Sequence, residues 1–142
     1  MTFGGYETDI TNLENCYPGH DMTSCGSDGK TNTAKIIQAG KENNISYPAA
    51  EYCYKYTTAG TKIGDWFLPS VNELKNICDV KENINATLNL LGKSPLTEDK
   101  TYWSSTGYSN FYSWTVYFGY CPAGANQNHR ESNCNVRPII QY

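Results

Sequence analysis

From Tyr112 to Phe118 the chain alternates. Tyr112, Trp114, Val116 and Phe118 share one parity, and Ser113, Thr115 and Tyr117 take the other. That period of two predicts a half-buried strand. The short aromatic run Tyr102–Ser104 precedes it, and Cys134–Tyr142 closes the chain with Val136, Ile139 and Ile140 inward. Pro138 disfavours a regular central ladder there. Upstream the spacing is helical. One helix is expected from Asn32, a good cap, to about Asn43, with Ala34, Ile37 and Gln38 inward and Gly40 weakening its interior. A second starts at Pro48, with Ala49, Tyr52, Cys53 and Tyr56 along one side. Gly64–Pro69 is a short apolar strand halted by proline. Ser70-Val71-Asn72-Glu73 is a capping box whose helix buries Leu74, Ile77 and Cys78. A further helix, Glu82–Leu91, carries Ile84, Leu88 and Leu91 and stops at Gly92. Residues 1–31 are a lead-in, a strand broken at Gly4-Gly5 and then an ordered loop. Residues 119–133 are a long turn-rich connection. Helices first and strands last is an α+β order.

At 142 residues the chain is expected to form one domain. A net charge of -3 and a pI of 5.3 argue against nucleic acid, which demands clustered Lys and Arg. No apolar run approaches the ~20 residues of a membrane helix, and none forms a signal peptide. Direct membrane insertion is therefore not expected. The six cysteines favour disulfides in an oxidising compartment over free thiols. Cys16–Cys25 and Cys121–Cys134 are the locally plausible loops. Cys121 and Cys134 either close the long connection or stay free.

Composition sharpens in residues 102–137. Tyr, Ser, Asn and Gly supply half of that stretch, and only Arg130, Glu131 and Arg137 carry charge. Evolved binding loops use this mixture: tyrosine for contact area, small polar residues for adaptable hydrogen bonds. Asp9, Glu14, His20 and Asp21 are oxygen-rich but lack EF-hand spacing. With only His20 and His129, no nucleophile motif surrounds a Cys/His or Ser/His pair. No cofactor or metal is expected. Asn44-Ile45-Ser46 and Asn85-Ala86-Thr87 match the N-glycosylation acceptor pattern.

Two motifs carry a family resemblance together: GDWFLPSVNEL (Gly64–Leu74) and YWSST (Tyr102–Thr106). The second is followed by Trp114, VYFG (Val116–Gly119) and VRP (Val136–Pro138). Over about residues 28–142 the chain resembles the C-type-lectin-like module at the C-terminus of bacterial collagen-like adhesins. That module is akin to the formylglycine-generating enzyme fold, with helices packed on a short antiparallel sheet and long ordered loops. The same module is used by variable proteins of diversity-generating retroelements, including phage receptor-binding proteins. There, adenine-templated codons randomise positions between fixed framework motifs.

The resemblance implies a non-enzymatic module that binds a protein or glycan receptor on a cell surface. It would be located extracellularly, on a cell surface or on a virion, with homo-oligomeric display adding avidity. Positions matching the variable palette are Tyr108, Asn110, Phe111, Tyr112, Tyr117, Tyr120, Cys121, Asn126, Asn128, His129, Asn133 and Asn135. Gln127 and Glu131 would be fixed. Trp66, Trp103 and Trp114 would be buried framework. Tyr112 lies on the core parity and Tyr117 on the opposite one, so both are contested. An undiversified glycan-binding adhesin domain is the second reading. A formylglycine-generating-like enzyme using Cys121 or Cys134 is the third.

Overall fold

The computed structural model describes residues 1–17, 22–122 and 124–142. In chain order they form α1 (Met22–Cys25), α2 (Gly29–Asn43), α3 (Pro48–Lys55), β1 (Trp66–Phe67), α4 (Val71–Asp79), α5 (Lys81–Leu90), β2 (Thr101–Gly107), β3 (Tyr112–Tyr117), β4 (Ala125–His129) and β5 (Ile139–Ile140). The class is α+β, as expected. The antiparallel β2-β3-β4 sheet is accompanied by the two-stranded β1-β5 pair.

The capping box forms as read. Glu73 N donates to Ser70 Oγ at 3.3 Å and Ser70 N to Glu73 Oε2 at 2.7 Å. The same carboxylate oxygen accepts from Gly29 N at 3.1 Å. One charge thus serves the N-termini of α2 and α4, where it also meets favourable helix dipoles. A Cβ at Gly29 would lie 2.4 Å from Glu73 Oε2 and 2.6 Å from Ser70 N, which explains the glycine. Glu73→Ala should leave amides of both helices unsatisfied and cost about 2 kcal/mol in a urea melt.

Helix phases differ from expectation. α2 starts at Gly29 because Asp28, not Asn32, caps it, accepting Thr31 N at 3.0 Å. Its buried side is Asn32, Thr33, Ile36, Ile37 and Ala39, while Ala34 and Gln38 face solvent. In α3 the buried residues are Ala49, Ala50 and Cys53; Tyr52 and Tyr56 are exposed. In α5, Ile84 and Leu88 are half-buried and Leu91 is exposed. A tyrosine can satisfy a helical period and still put its ring outside, since its hydroxyl favours water.

The sheet is covered on both faces. Trp103, Phe3, Tyr47, Ile36, Ala49, Leu68 and Cys134 pack in one cluster. Tyr102, Trp114, Val116, Phe118, Leu74, Cys78 and Cys16 pack in the other. β3 is therefore not half-buried: Ser113 and Thr115 are as buried as Trp114 and Val116. The pairing of β2 with β3 shifts between Trp103 and Gly107. Buried hydroxyls fill the break. Ser104 Oγ donates to Trp114 O at 2.8 Å, and Thr106 Oγ1 accepts from Val71 N at 3.0 Å. The small polar residues of YWSST are thus framework, holding backbone groups where the ladder fails.

Three other expectations are corrected. Residues 1–10 form no strand; they run as irregular backbone across the end of the sheet, with Phe3 N donating to Arg130 O at 3.0 Å. The 119–133 connection contains β4, whose Ala-Asn-Gln-Asn-His run lacks β-forming character and pairs along one edge only. Cys121 is bonded to Cys78, with Cα atoms 5.5 Å apart, rather than to Cys134. Cys134 is a free thiol buried in the opposite cluster, beyond the sheet. Cys16–Cys25 forms as anticipated.

Candidate binding surface

The hairpin turn between β2 and β3 and the end of β4 lie side by side, because Tyr112 pairs with His129. Backbone bonds tie a third segment to them. Glu7 N donates to Asn110 O at 3.0 Å, and Arg130 N to Phe111 O at 2.9 Å. The rings gathered there touch in sequence. Tyr6 lies 5.4 Å from Phe111 and 4.5 Å from His129, and His129 is 5.6 Å from Tyr112. Tyr108 is 6.5 Å from Tyr112 and 5.7 Å from Tyr17, and it leans on buried Trp114 at 5.5 Å. Phe111 and Tyr112 are 43% and 41% exposed and Tyr17 is exposed as well, while Tyr6, Tyr108 and His129 are half-buried between them, so the touching rings form one partly exposed face. Contiguous exposed aromatic surface of this kind is a feature of binding sites.

Beneath the face sits Arg130, only 1% exposed. Its Nη1 donates to Gly5 O at 3.0 Å and Thr8 O at 2.9 Å, and its guanidinium lies 5.2 Å from the Phe3 ring centre. Burial pulls the Arg130 pKa below its ordinary value, against the opposing pull of Tyr47 and Asp9. The arginine thereby clamps the turn that carries Tyr6. Tyr6 has its phenol pKa raised, first by partial burial and then by the charges of Glu7 and Glu131.

The expected site residues do not all converge. Tyr108, Asn110, Phe111, Tyr112 and His129 meet in the face. Tyr112 is exposed despite its core parity, because it stands at the end of β3 past the covering helices. Tyr117, Tyr120 and Cys121 lie at the opposite end of β3, about 17 Å away at the strand rise. There Tyr117 is half-buried and 6.1 Å from Tyr120, which is 78% exposed. Asn126 is exposed along the β4 edge, whereas Asn128 turns in and donates to Cys134 Sγ at 3.5 Å. Asn133 and Asn135 are exposed, and Asn135 bridges to β2 through its backbone. The sequence reading missed Tyr6 and Tyr17. Tyr6 follows Gly4-Gly5 in a turn, which is a local signal for exposure, but nothing local places that turn against residue 110.

Trp103 and Trp114 are buried framework as expected, yet Trp66 is half-exposed. It packs 5.0 Å from Tyr56, donates Nε1 to Thr61 Oγ1 at 3.1 Å, and borders a groove shared with Leu88, Lys93, Arg137 and Pro138. Of the oxygen-rich N-terminal residues, His20 and Asp21 lie outside the described residues. Among the described residues no group of His, Cys, Asp and Glu is arranged to hold a metal, and no helix is long and apolar enough to cross a membrane.

A fimbrial protein from Bacteroides ovatus ATCC 8483, known from a crystal structure at 1.85 Å resolution, is similar in fold. It superposes with a TM-score of 0.65 at 17% identity, over 82% of this chain and 25% of that one. This chain thus spans a quarter of the fimbrial protein's length. No curated protein matches the chain. The Lcl C-terminal domain family matches residues 20–140. Scaffold motifs and family match cover the same stretch of sequence, and the chain belongs to the Lcl C-terminal domain family.

Proposed function

We propose that this chain is a non-enzymatic, C-type-lectin-like adhesin module that binds a cell-surface receptor through the Tyr6–Tyr17–Tyr108–Phe111–Tyr112–His129 face. The observation carrying this reading is the continuity of those rings on a backbone locked from three segments. Rigid aromatic anchors bind at low entropic cost. The extracellular surface or a virion is the setting that suits two disulfides and a fimbrial-protein fold relative. Display of several copies would raise a modest single-site affinity.

Diversification by a retroelement fits the division between palette residues that are exposed (Phe111, Tyr112, Tyr120, Cys121, Asn126, Asn133, Asn135) or half-buried (Tyr108, Asn110, Tyr117, Asn128, His129) and the buried motif residues (Tyr102–Thr106, Trp114, Val116, Phe118). A downstream near-copy of the coding DNA, differing at adenines and beside a reverse transcriptase gene, is the expected finding. The enzyme reading is disfavoured by the thiols: Cys121 is held in a disulfide and burial raises the Cys134 pKa. Protein–glycan recognition has one specific observation in its favour, the half-exposed Trp66 beside Tyr56 and the cations Lys93 and Arg137.

Binding of the labelled chain to a panel of cell-surface proteins and glycans separates the two. Phe111→Ser with Tyr112→Ser should abolish the signal, and Trp66→Ala should preserve it. The reverse pattern would move the function to the Trp66 groove.

A further inference from the structure

The aromatic face has an acidic rim. Glu7 sits at φ 62°, a left-handed conformation that favours glycine, in a turn closed by Thr8 N donating to Gly5 O at 3.1 Å. A glutamate at such a position is uncommon and holds the turn in one conformation. Its amide bond to Asn110 O holds the residue beside the hairpin turn. Glu131, two residues beyond His129, places Oε2 3.8 Å from His129 Nδ1. Both carboxylates act in the direction that raises the Tyr6 phenol pKa, after the larger effect of its partial burial. The nearby cation, Arg130, is turned inward and spent on Gly5 O and Thr8 O.

Ring faces attract cations, and adjacent carboxylates repel anions. A planar guanidinium satisfies both features, since it stacks on aromatic rings and donates in a fork to carboxylates. We propose that the Tyr6–Phe111–Tyr112–His129 face, with Glu7 and Glu131, accepts an exposed arginine side chain of a protein partner. This inference rests on the preceding reading that the face is the binding surface. It adds the sign of the ligand's charge and its macromolecular class.

The test titrates the whole 15N-labelled chain with acetyl-Gly-Arg-Gly-Arg-Gly-amide, its glutamate counterpart and a sulfated oligosaccharide. Amide shifts at residues 6–8, 110–112 and 129–131 are expected with the arginine peptide alone, and they should shrink with added salt. Glu7→Gln with Glu131→Gln should weaken that peptide about tenfold while leaving the melting temperature unchanged. Glu7→Gly should also weaken it, although the turn itself then becomes easier to form. Unshifted amides at those residues, equal shifts with the glutamate peptide or the oligosaccharide, or unchanged affinity in the double glutamine variant would each overturn the arginine assignment. Where Phe111→Ser with Tyr112→Ser still abolishes receptor binding, the face remains the binding surface and only its ligand chemistry falls.

Discussion

Cys121→Ser should destabilise the folded chain by about 4 kcal/mol, whereas Cys134→Ala should cost about 1 kcal/mol. The first figure follows from chain entropy. Cys78 and Cys121 are 43 residues apart, so the cross-link removes much of the freedom of the unfolded chain. Cys121 itself is exposed, and serine replaces its volume, so the loss comes from the bond rather than from packing. Cys134 lies in the Phe3–Trp103 cluster as a free thiol, so alanine removes one buried atom and the contact with Asn128. Denaturant melts of the two variants measure the contrast. Alkylation of the unfolded, unreduced chain checks the pairing directly. Cys53 and Cys134 should be modified, and Cys78 should not. Modification of Cys78 together with protection of Cys134 would return the cross-link to Cys121–Cys134. Because the bond anchors the Tyr117–Tyr120 end of β3 to α4, binding at the Tyr112 end should survive its loss under conditions where the chain stays folded.

Arg130→Ala is expected to cost roughly 3 kcal/mol and to loosen the Tyr6 turn. Two half-buried carbonyls, Gly5 O and Thr8 O, would lose a charged donor at 3.0 and 2.9 Å. The ring of Phe3 would lose the cation packed over it, and a cavity would open in a core position. The arginine is already imperfectly served, since among the described residues its Nε has no hydrogen-bond partner and neither does the nearby Tyr47 hydroxyl. Arg130→Met is the informative companion. It keeps most of the volume, so it should recover much of the stability without restoring the two bonds to the turn. Hydrogen exchange at Glu7 and Thr8, whose amides bond Asn110 O and Gly5 O, should then rise in both variants. If exchange there stays slow in Arg130→Met, the backbone bonds alone hold the turn and the arginine is only a core residue.

Local pattern determined a definite part of this protein. The α4 start was legible because Ser70 and Glu73 satisfy each other's amides within four residues, which requires no knowledge of the rest of the chain. Pro48 at a helix start, the β3 alternation and the burial of Trp103 and Trp114 were legible for the same reason. So was the α+β class. Tertiary structure decided the remainder wherever one residue type serves two environments. Tyr52 and Tyr56 fit a helical face yet point outward, and Ser113 and Thr115 look solvent-facing yet are sealed by the Trp103 cluster. The cysteine pairing depended on which side of the sheet each thiol reached. The β4 ladder depended on an edge being available to residues with little strand preference of their own. The binding face is the clearest case. Tyr108, Phe111, Tyr112 and His129 could be named from composition, but Tyr6 and Glu7 join them across more than a hundred residues of sequence. The Arg130 clamp, the Glu7–Asn110 backbone bond and the bonds of Met1, Phe3 and Gly4 to residues 130–134 bring them there, and such long-range bonds leave no periodic trace in the chain.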